Sequence, residues 1–169
     1  EMGVGAGDRV ATMQVNSHRP VETYFAAAQL DAIYVPVNFR AKSHELEQML
    51  VIAQPSCLLI GERYLPLIED LPEDAVLAPD RVVVLDGEPT GGRRGYESLL
   101  AEANPDQMHF PEADGHDTTV IMFTAGTTGV PKGVMLTHDS FSSYLLATVS
   151  PADPDIEESN LITVPFYHI

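Results

Sequence analysis

Residues Thr118-Thr119-Val120-Ile121-Met122-Phe123-Thr124-Ala125-Gly126-Thr127-Thr128-Gly129-Val130-Pro131-Lys132-Gly133-Val134-Met135-Leu136-Thr137-His138 decide how the chain is read. An apolar strand runs into a loop of glycines and hydroxyl residues. The loop contains one lysine, Lys132, and leaves through a second apolar strand. Glycines let backbone N–H groups close on an anion, as a nest does, and threonine hydroxyls add donors. Lys132 adds one mobile positive charge. The pattern differs from the familiar nucleotide loop, which ends in Gly-Lys-Ser/Thr and opens a helix. Here Lys132 follows Pro131 and precedes Gly133. A Gly/Thr-rich hairpin turn is the plainer reading and explains Gly126 and Gly129, but it does not call for two threonines and a Pro-Lys-Gly together.

The rest of the composition makes an anion loop the more notable. The 169 residues carry 25 acidic against 9 basic side chains, a net charge of −16. Such a surface repels nucleic acid, whose binding needs clustered Lys and Arg. It repels anionic ligands too, so a phosphate site must be local and built largely from backbone N–H groups. At 44% hydrophobic residues and a mean hydropathy of −0.01, the chain reads as globular rather than disordered. Its length suits one domain, or one large piece of a bigger one. No apolar run approaches the ~18–20 residues that a membrane helix needs, and Glu1–Gly7 does not read as a signal peptide. The single cysteine, Cys57, sits in the apolar run Ser56–Ile60 and reads as a small buried hydrophobe. Without a second cysteine there is no internal disulfide, which fits a reducing, cytoplasmic setting.

Outward from the loop, the chain alternates between two periodicities. Arg9–Asn16, Ile33–Val37, Cys57–Ile60 and Arg81–Leu85 read as short strands. A helix is expected from Pro20, with Val21, Tyr24, Phe25, Ala28 and Leu30 near helical spacing, failing near Asp31, a residue that tolerates the left-handed conformation. A second helix is expected through Ala53, with Ser43 as its cap and Leu46, Met49 and Leu50 inward. Tyr64–Leu71 and Tyr96–Ala103 read as further helices, and another runs from His138 to about Val149 with Thr137 as its cap. Asp86–Gly95 is a breaker-rich loop whose Arg93 and Arg94 are either solvated or a phosphate or acyl-chain portal. Asn104–Asp117 is a polar connector; the spacing of its His109, Asp114, His116 and Asp117 matches no zinc pattern. His18 and His44 read as surface residues. The alternation predicts an α/β fold of layered, largely parallel sheets flanked by helices.

Thr124–Gly133 closely resembles the phosphate-loop signature of the adenylate-forming superfamily, which includes acyl-CoA synthetases, luciferases and nonribosomal adenylation domains. Three further stretches resemble the family in order and spacing: Gly7-Asp8-Arg9-Val10, Ala32-Ile33-Tyr34-Val35-Pro36-Val37-Asn38 and Val164-Pro165-Phe166-Tyr167-His168-Ile169. Two positions depart from it. Ala125 sits where a serine is common, and Asp31 replaces a usual glycine. The family's Tyr-Gly-x-Thr-Glu segment, ribose-binding Asp, hinge and late Lys are not in this sequence. The resemblance therefore implies that residues 1–169 are an incomplete portion of the N-terminal AMP-binding domain, lacking the small C-terminal domain and inactive alone.

What the resemblance implies for the whole enzyme is a carboxylate attacking ATP to give an acyl-adenylate, which coenzyme A converts to a thioester. Thr124, Ala125, Gly126, Thr127, Thr128, Gly129 and Lys132 would hold the β- and γ-phosphates, and Thr124 would also enter the Mg²⁺ shell. His168 would belong to the acyl and thiol pocket. Amino-acid-activating relatives usually carry Asp there, so an imidazole favours an uncharged fatty or aryl acid. A plain strand-end histidine is the alternative. No catalytic residue is assigned. An acyl-AMP ligase feeding a carrier protein and a non-catalytic nucleotide-binding fragment stay open. The apolar run Leu161–Val164 is expected to be a strand whose exposed edge would favour a homodimer.

Overall fold

The computed structural model describes residues 2–107, 109–124, 129–150, 159 and 161–168. Its elements are β1 (Arg9–Met13), α1 (His18–Gln29), β2 (Ile33–Pro36), α2 (Ser43–Ala53), β3 (Cys57–Ile60), α3 (Pro66–Glu69), β4 (Val82–Val84), β5 (Arg94–Gly95), α4 (Tyr96–Glu102), β6 (Thr118–Thr124), β7 (Lys132–Thr137) and α5 (His138–Thr148), with single 3₁₀ turns at Glu62–Tyr64 and Pro79–Arg81. The strands form one seven-stranded sheet in the order β5-β4-β3-β1-β2-β6-β7. Every neighbouring pair is parallel except β6 and β7, which form an antiparallel hairpin. The expected α/β class holds, as one mixed, mostly parallel sheet with helices on both faces.

The core follows from strands that are apolar throughout, because both faces of a parallel sheet are covered. On one face Ala11, Met13, Val35, Leu58, Ile60, Val82 and Val84 pack against Leu46, Met49, Leu50 and Ala53 of α2. On the other, Val10, Tyr34, Cys57, Leu59, Val83, Val120 and Met122 meet Ala27 of α1 and Tyr96 of α4. Cys57 is buried as expected, and burial pushes its thiol up to about 11.

Local chemistry moves several boundaries. β1 ends at Met13, so Asn16 lies in a loop rather than in the strand. α1 begins at His18 with Ser17 at the cap position; Pro20 falls within its first turn, where a missing N–H costs nothing. Ser43 is the first helical residue of α2, not its cap: Lys42 holds the cap position, and its N–H donates to Glu45 Oε2 at 2.9 Å. The expected helix Tyr64–Leu71 is instead the Glu62–Tyr64 turn followed by the short α3. Thr137 does cap α5, its Oγ1 accepting the Ser140 N–H at 3.2 Å.

Asp31 is left-handed, with φ 53°, as its position after α1 predicts. It also does what a glycine there could not. Its carboxylate accepts the N–H groups of Glu112 at 2.7 Å and Ala113 at 3.2 Å, pinning the long connector to the end of α1.

Leu161–Val164 is not a strand. It pairs with no strand among the described residues, and its side chains are exposed. The segment is held instead by the side chain of Asn16.

Candidate functional site

Because β1, β2, β3, β4 and β6 run parallel, their carboxyl ends share one edge of the sheet. Open α/β sheets bind ligands at that edge. Between β1 and β3 the loops there are tied shut. The Asp86 carboxylate accepts the Gln14 amide at 3.1 Å and the Glu62 N–H at 2.7 Å. The open chemistry lies toward β6 and β7.

The register Tyr34↔Val120 carries β6 past the end of β2, so its last residues stand clear of the parallel sheet. The last residue pair of the hairpin is Thr124↔Lys132. Both side chains are exposed. Side chains alternate along a strand, so Thr124 faces the same way as Val120 and Met122, and Lys132, directly opposite, shares that face. Among the described residues no carboxylate forms an ion pair with Lys132. Of the intervening loop, Gly129 has φ 84°, a backbone state that glycine adopts without a Cβ penalty. The expected phosphate contacts of Ala125, Gly126, Thr127 and Thr128 lie outside the described residues.

Gly133, next to the lysine, has a packing reason of its own. It sits opposite Phe123, and an added Cβ would stand 2.9 Å from Ile121 Cγ2. The glycine of Pro-Lys-Gly thus lets Ile121 lie across the hairpin.

The stretch Val164–His168 reaches the same carboxyl edge. Asn16, just beyond β1, donates from Nδ2 to the Val164 carbonyl at 2.8 Å and accepts the Phe166 N–H on Oδ1 at 3.0 Å. Tyr167 is buried edge-on to Phe39, just beyond β2, with ring centroids 5.2 Å apart. His168 closes a turn by donating its N–H to Pro165 O at 2.9 Å. Its exposed ring lies 4.5 Å from that of Tyr167. It ends a turn, not a strand. Thr124, Gly129, Lys132 and His168 therefore belong to one edge of the sheet, although they are 44 positions apart at the extremes.

Other candidates fall elsewhere. Arg93 is mostly buried and 3.8 Å from Glu69, and Arg94 opens β5, at the sheet border farthest from β7. They do not join the loop. His116 Nδ1 stands 3.1 Å from Asp139 Oδ2, and the Asp139 N–H donates to Gly115 O at 2.8 Å, so the connector's polar residues fasten it to the start of α5. Among the described residues no three His, Cys, Asp or Glu side chains stand together as a metal-binding group. Gly7–Val10 proves to be a fastener at the opposite edge. The Arg9 guanidinium donates to the carbonyls of Ala53 and Gln54 at 2.8 Å each, closing the end of α2, while Asp8 accepts the Ser56 hydroxyl at 2.7 Å.

Asn16 is the residue that sequence reasoning missed. Counting it into β1 hid it, because a strand residue directs its side chain into a face rather than toward a distant segment. The signal was available: a carboxamide just past the end of a central parallel strand.

Residues 1–169 match the family described as "AMP-binding enzyme". A long-chain-fatty-acid–CoA ligase of Thermus thermophilus is 32% identical over 99% of this chain and 30% of its own length. An indoleacetate–CoA ligase of Aromatoleum aromaticum is 30% identical over 99% of this chain and 32% of its own length. Among solved structures, the anthranilate CoA ligase AuaEII in complex with anthranoyl-AMP superimposes with a TM-score of 0.80 at 25% identity, covering 86% of this chain and 28% of that one. The chain spans about a third of the length of the curated relatives it matches. Among the described residues no helix is long and apolar enough to cross a membrane.

Proposed function

The chain belongs to the AMP-binding enzyme family, and from that membership we propose that residues 1–169 are a portion of the N-terminal domain of an ATP-dependent acyl-CoA synthetase acting on a fatty or aryl acid. The observation that carries this reading is the Thr124–Lys132 pair, set together at the carboxyl edge of the sheet and flanked by the left-handed Gly129. Hydroxyl, ammonium and turn N–H groups are the donor set a polyphosphate requires. In a chain of net charge −16 such a concentration of donors is unusual. The names of the relatives, acid–CoA ligases for fatty and aryl acids, support coenzyme A as acceptor and a carboxylic acid as substrate.

In the proposed reaction a carboxylate oxygen forms a bond to the α-phosphorus of ATP, and the bond from that phosphorus to the bridging oxygen breaks. Pyrophosphate leaves. The thiol of coenzyme A then attacks the acyl carbon, loses its proton, and AMP leaves. Charge accumulates on the departing phosphate oxygens, so donors fixed before the reaction lower the barrier. Lys132 and the Thr124 hydroxyl supply two of them. Mg²⁺, when bound with the nucleotide, neutralises phosphate charge. The donor set fits a cation that arrives on the polyphosphate: a Thr124 hydroxyl to ligate it, and no carboxylate cluster to hold it alone among the described residues. His168 lies on the acyl and thiol side, where an imidazole in place of an aspartate offers no fixed anion and so suits an uncharged tail. A buried, unpaired Cys57 thiol supports a cytoplasmic setting.

The test is acid-dependent ATP–pyrophosphate exchange, run on the full-length parent and on residues 1–169. Exchange by the parent with a fatty or aryl acid, and none by the shorter chain, is expected. A parent that binds ATP without exchange for any such acid would be a nucleotide-binding protein only. Comparing coenzyme A with a phosphopantetheinylated carrier protein as acceptor separates a synthetase from an acyl-AMP ligase.

A further inference from the structure

We infer that Asn16 is a positioning residue, which sets the segment Val164–His168 at the edge of the sheet and through it the acyl side of the site. The inference rests on the proposed placement of His168 in that part of the site. A residue in a parallel ladder engages the carbonyl before and the N–H after the residue it faces. The Asn16 carboxamide reproduces that pattern around Pro165, with Nδ2 on Val164 O at 2.8 Å and Oδ1 receiving the Phe166 N–H at 3.0 Å. A side chain thus takes the place of a strand, and Pro165, which has no N–H to offer, loses nothing by facing it. The clamp joins residues 148 and 150 positions apart.

The fit is specific to asparagine. Aspartate keeps the shape but has no donor, and would set a carboxylate oxygen against the Val164 carbonyl. Glutamine is one methylene too long for both bonds at once. Beyond the clamp, Tyr167 is anchored on Phe39 and the Pro165–His168 turn is closed by its own hydrogen bond. Movement at Val164 and Phe166 therefore passes to His168 through a short, stiff turn.

The experiment compares the full-length parent with Asn16→Asp, Asn16→Ala, His168→Ala and the Asn16→Asp/His168→Ala double variant. Amide hydrogen exchange of the peptide containing Phe166 reads the clamp directly. Exchange there is expected to accelerate at least tenfold in Asn16→Ala, which removes the acceptor of the Phe166 N–H, and unchanged exchange in that variant overturns the clamp. In kinetics, the KM for the carboxylic acid is expected to rise about tenfold, as for loss of one or two neutral hydrogen bonds. The KM for ATP should stay within about twofold, a split that a globally damaged enzyme would not give. The acid effect of Asn16→Asp is expected to shrink in the His168→Ala background; full additivity, or equal effects on both substrates, overturns the positioning role. Should His168→Ala alone move neither acid KM nor thioester formation, the placement of His168 falls, whatever exchange reports of the clamp.

Discussion

Lys132 stands directly across the β6–β7 ladder from Thr124, as the last residue pair before the loop. The ladder fixes the two backbones relative to each other, so an ammonium and a hydroxyl on one face of a rigid hairpin need little ordering when an anion arrives. The hairpin supplies the alignment.

Lys132→Ala in the full-length parent is expected to depress adenylation by tenfold to a hundredfold, the cost of one charge-assisted hydrogen bond of about 1.5–3 kcal/mol. His168→Ala should leave adenylation less affected and shift acyl preference or thioester formation. Measuring the two half-reactions separately decides the matter. Adenylation untouched by Lys132→Ala but abolished by His168→Ala would return the loop to a structural hairpin.

Gly133 should be sensitive for a reason unrelated to phosphate. With Ile121 Cγ2 at 2.9 Å from the place of a Cβ, Gly133→Ala forces a small shift and Gly133→Val a larger one. Overpacking by the valine is expected to cost about 1–3 kcal/mol. Urea unfolding curves of the two variants and the parent sequence provide the check; coincident midpoints would refute the packing argument.

Asp8 links folding to acid. The Ser56 hydroxyl, then the Gly5 N–H, hold its carboxyl below the ordinary carboxylate value of 3.8, with Arg9 and Arg81 assisting. The folded state therefore binds this proton less readily than the unfolded chain. The resulting stability is full above 3.8 and is lost as pH falls through the lower folded value. Asp8→Asn should be less stable than the parent sequence at about pH 7, with the gap closing by about pH 2. A gap that stays constant across that range, measured by denaturant unfolding, would contradict the linkage.

Self-association should occur through β7 rather than through Leu161–Val164. Among the described residues β7 pairs only with β6, and on it Val134 is 40% and Met135 65% exposed. Open apolar edges recruit further strands, and an edge lysine prevents it. Residues 1–169 are expected to sediment as a dimer at high concentration and Met135→Lys as a monomer. A monomeric profile for the unmodified sequence would count against pairing at this edge.

How far the sequence carried these conclusions depended on range. Cys57–Ile60 read correctly as a strand because a four-residue apolar run between a Pro-Ser pair and a glycine has few other uses. Thr137 as the cap of α5 and Asp31 as the left-handed stop after α1 were legible because both are settled within a few residues. Leu161–Val164 had the same apolar look as β3, yet a strand needs a partner, and apolarity alone does not provide one. Ser43 lost the cap position to Lys42 because Glu45 reaches back to the Lys42 N–H, a competition between neighbours that composition does not resolve. Asn16 and Asp31 fasten segments 148 and 81 positions away, and no local pattern announces such contacts.

The order of the strands has a consequence for how the chain acquires its shape. β1 is central, with β2 and β3 on either side, and these three precede β4–β7 in chain order. An emerging polypeptide folds its early segments first, so the middle of the sheet, complete by Ile60, can assemble before the strands of either border are made. Growth then proceeds outward, to β4 and β5 on one flank and to β6 and β7 on the other. The β6–β7 hairpin is thus laid down after the strands that support it, and errors in it need not disturb the part of the sheet that holds it up.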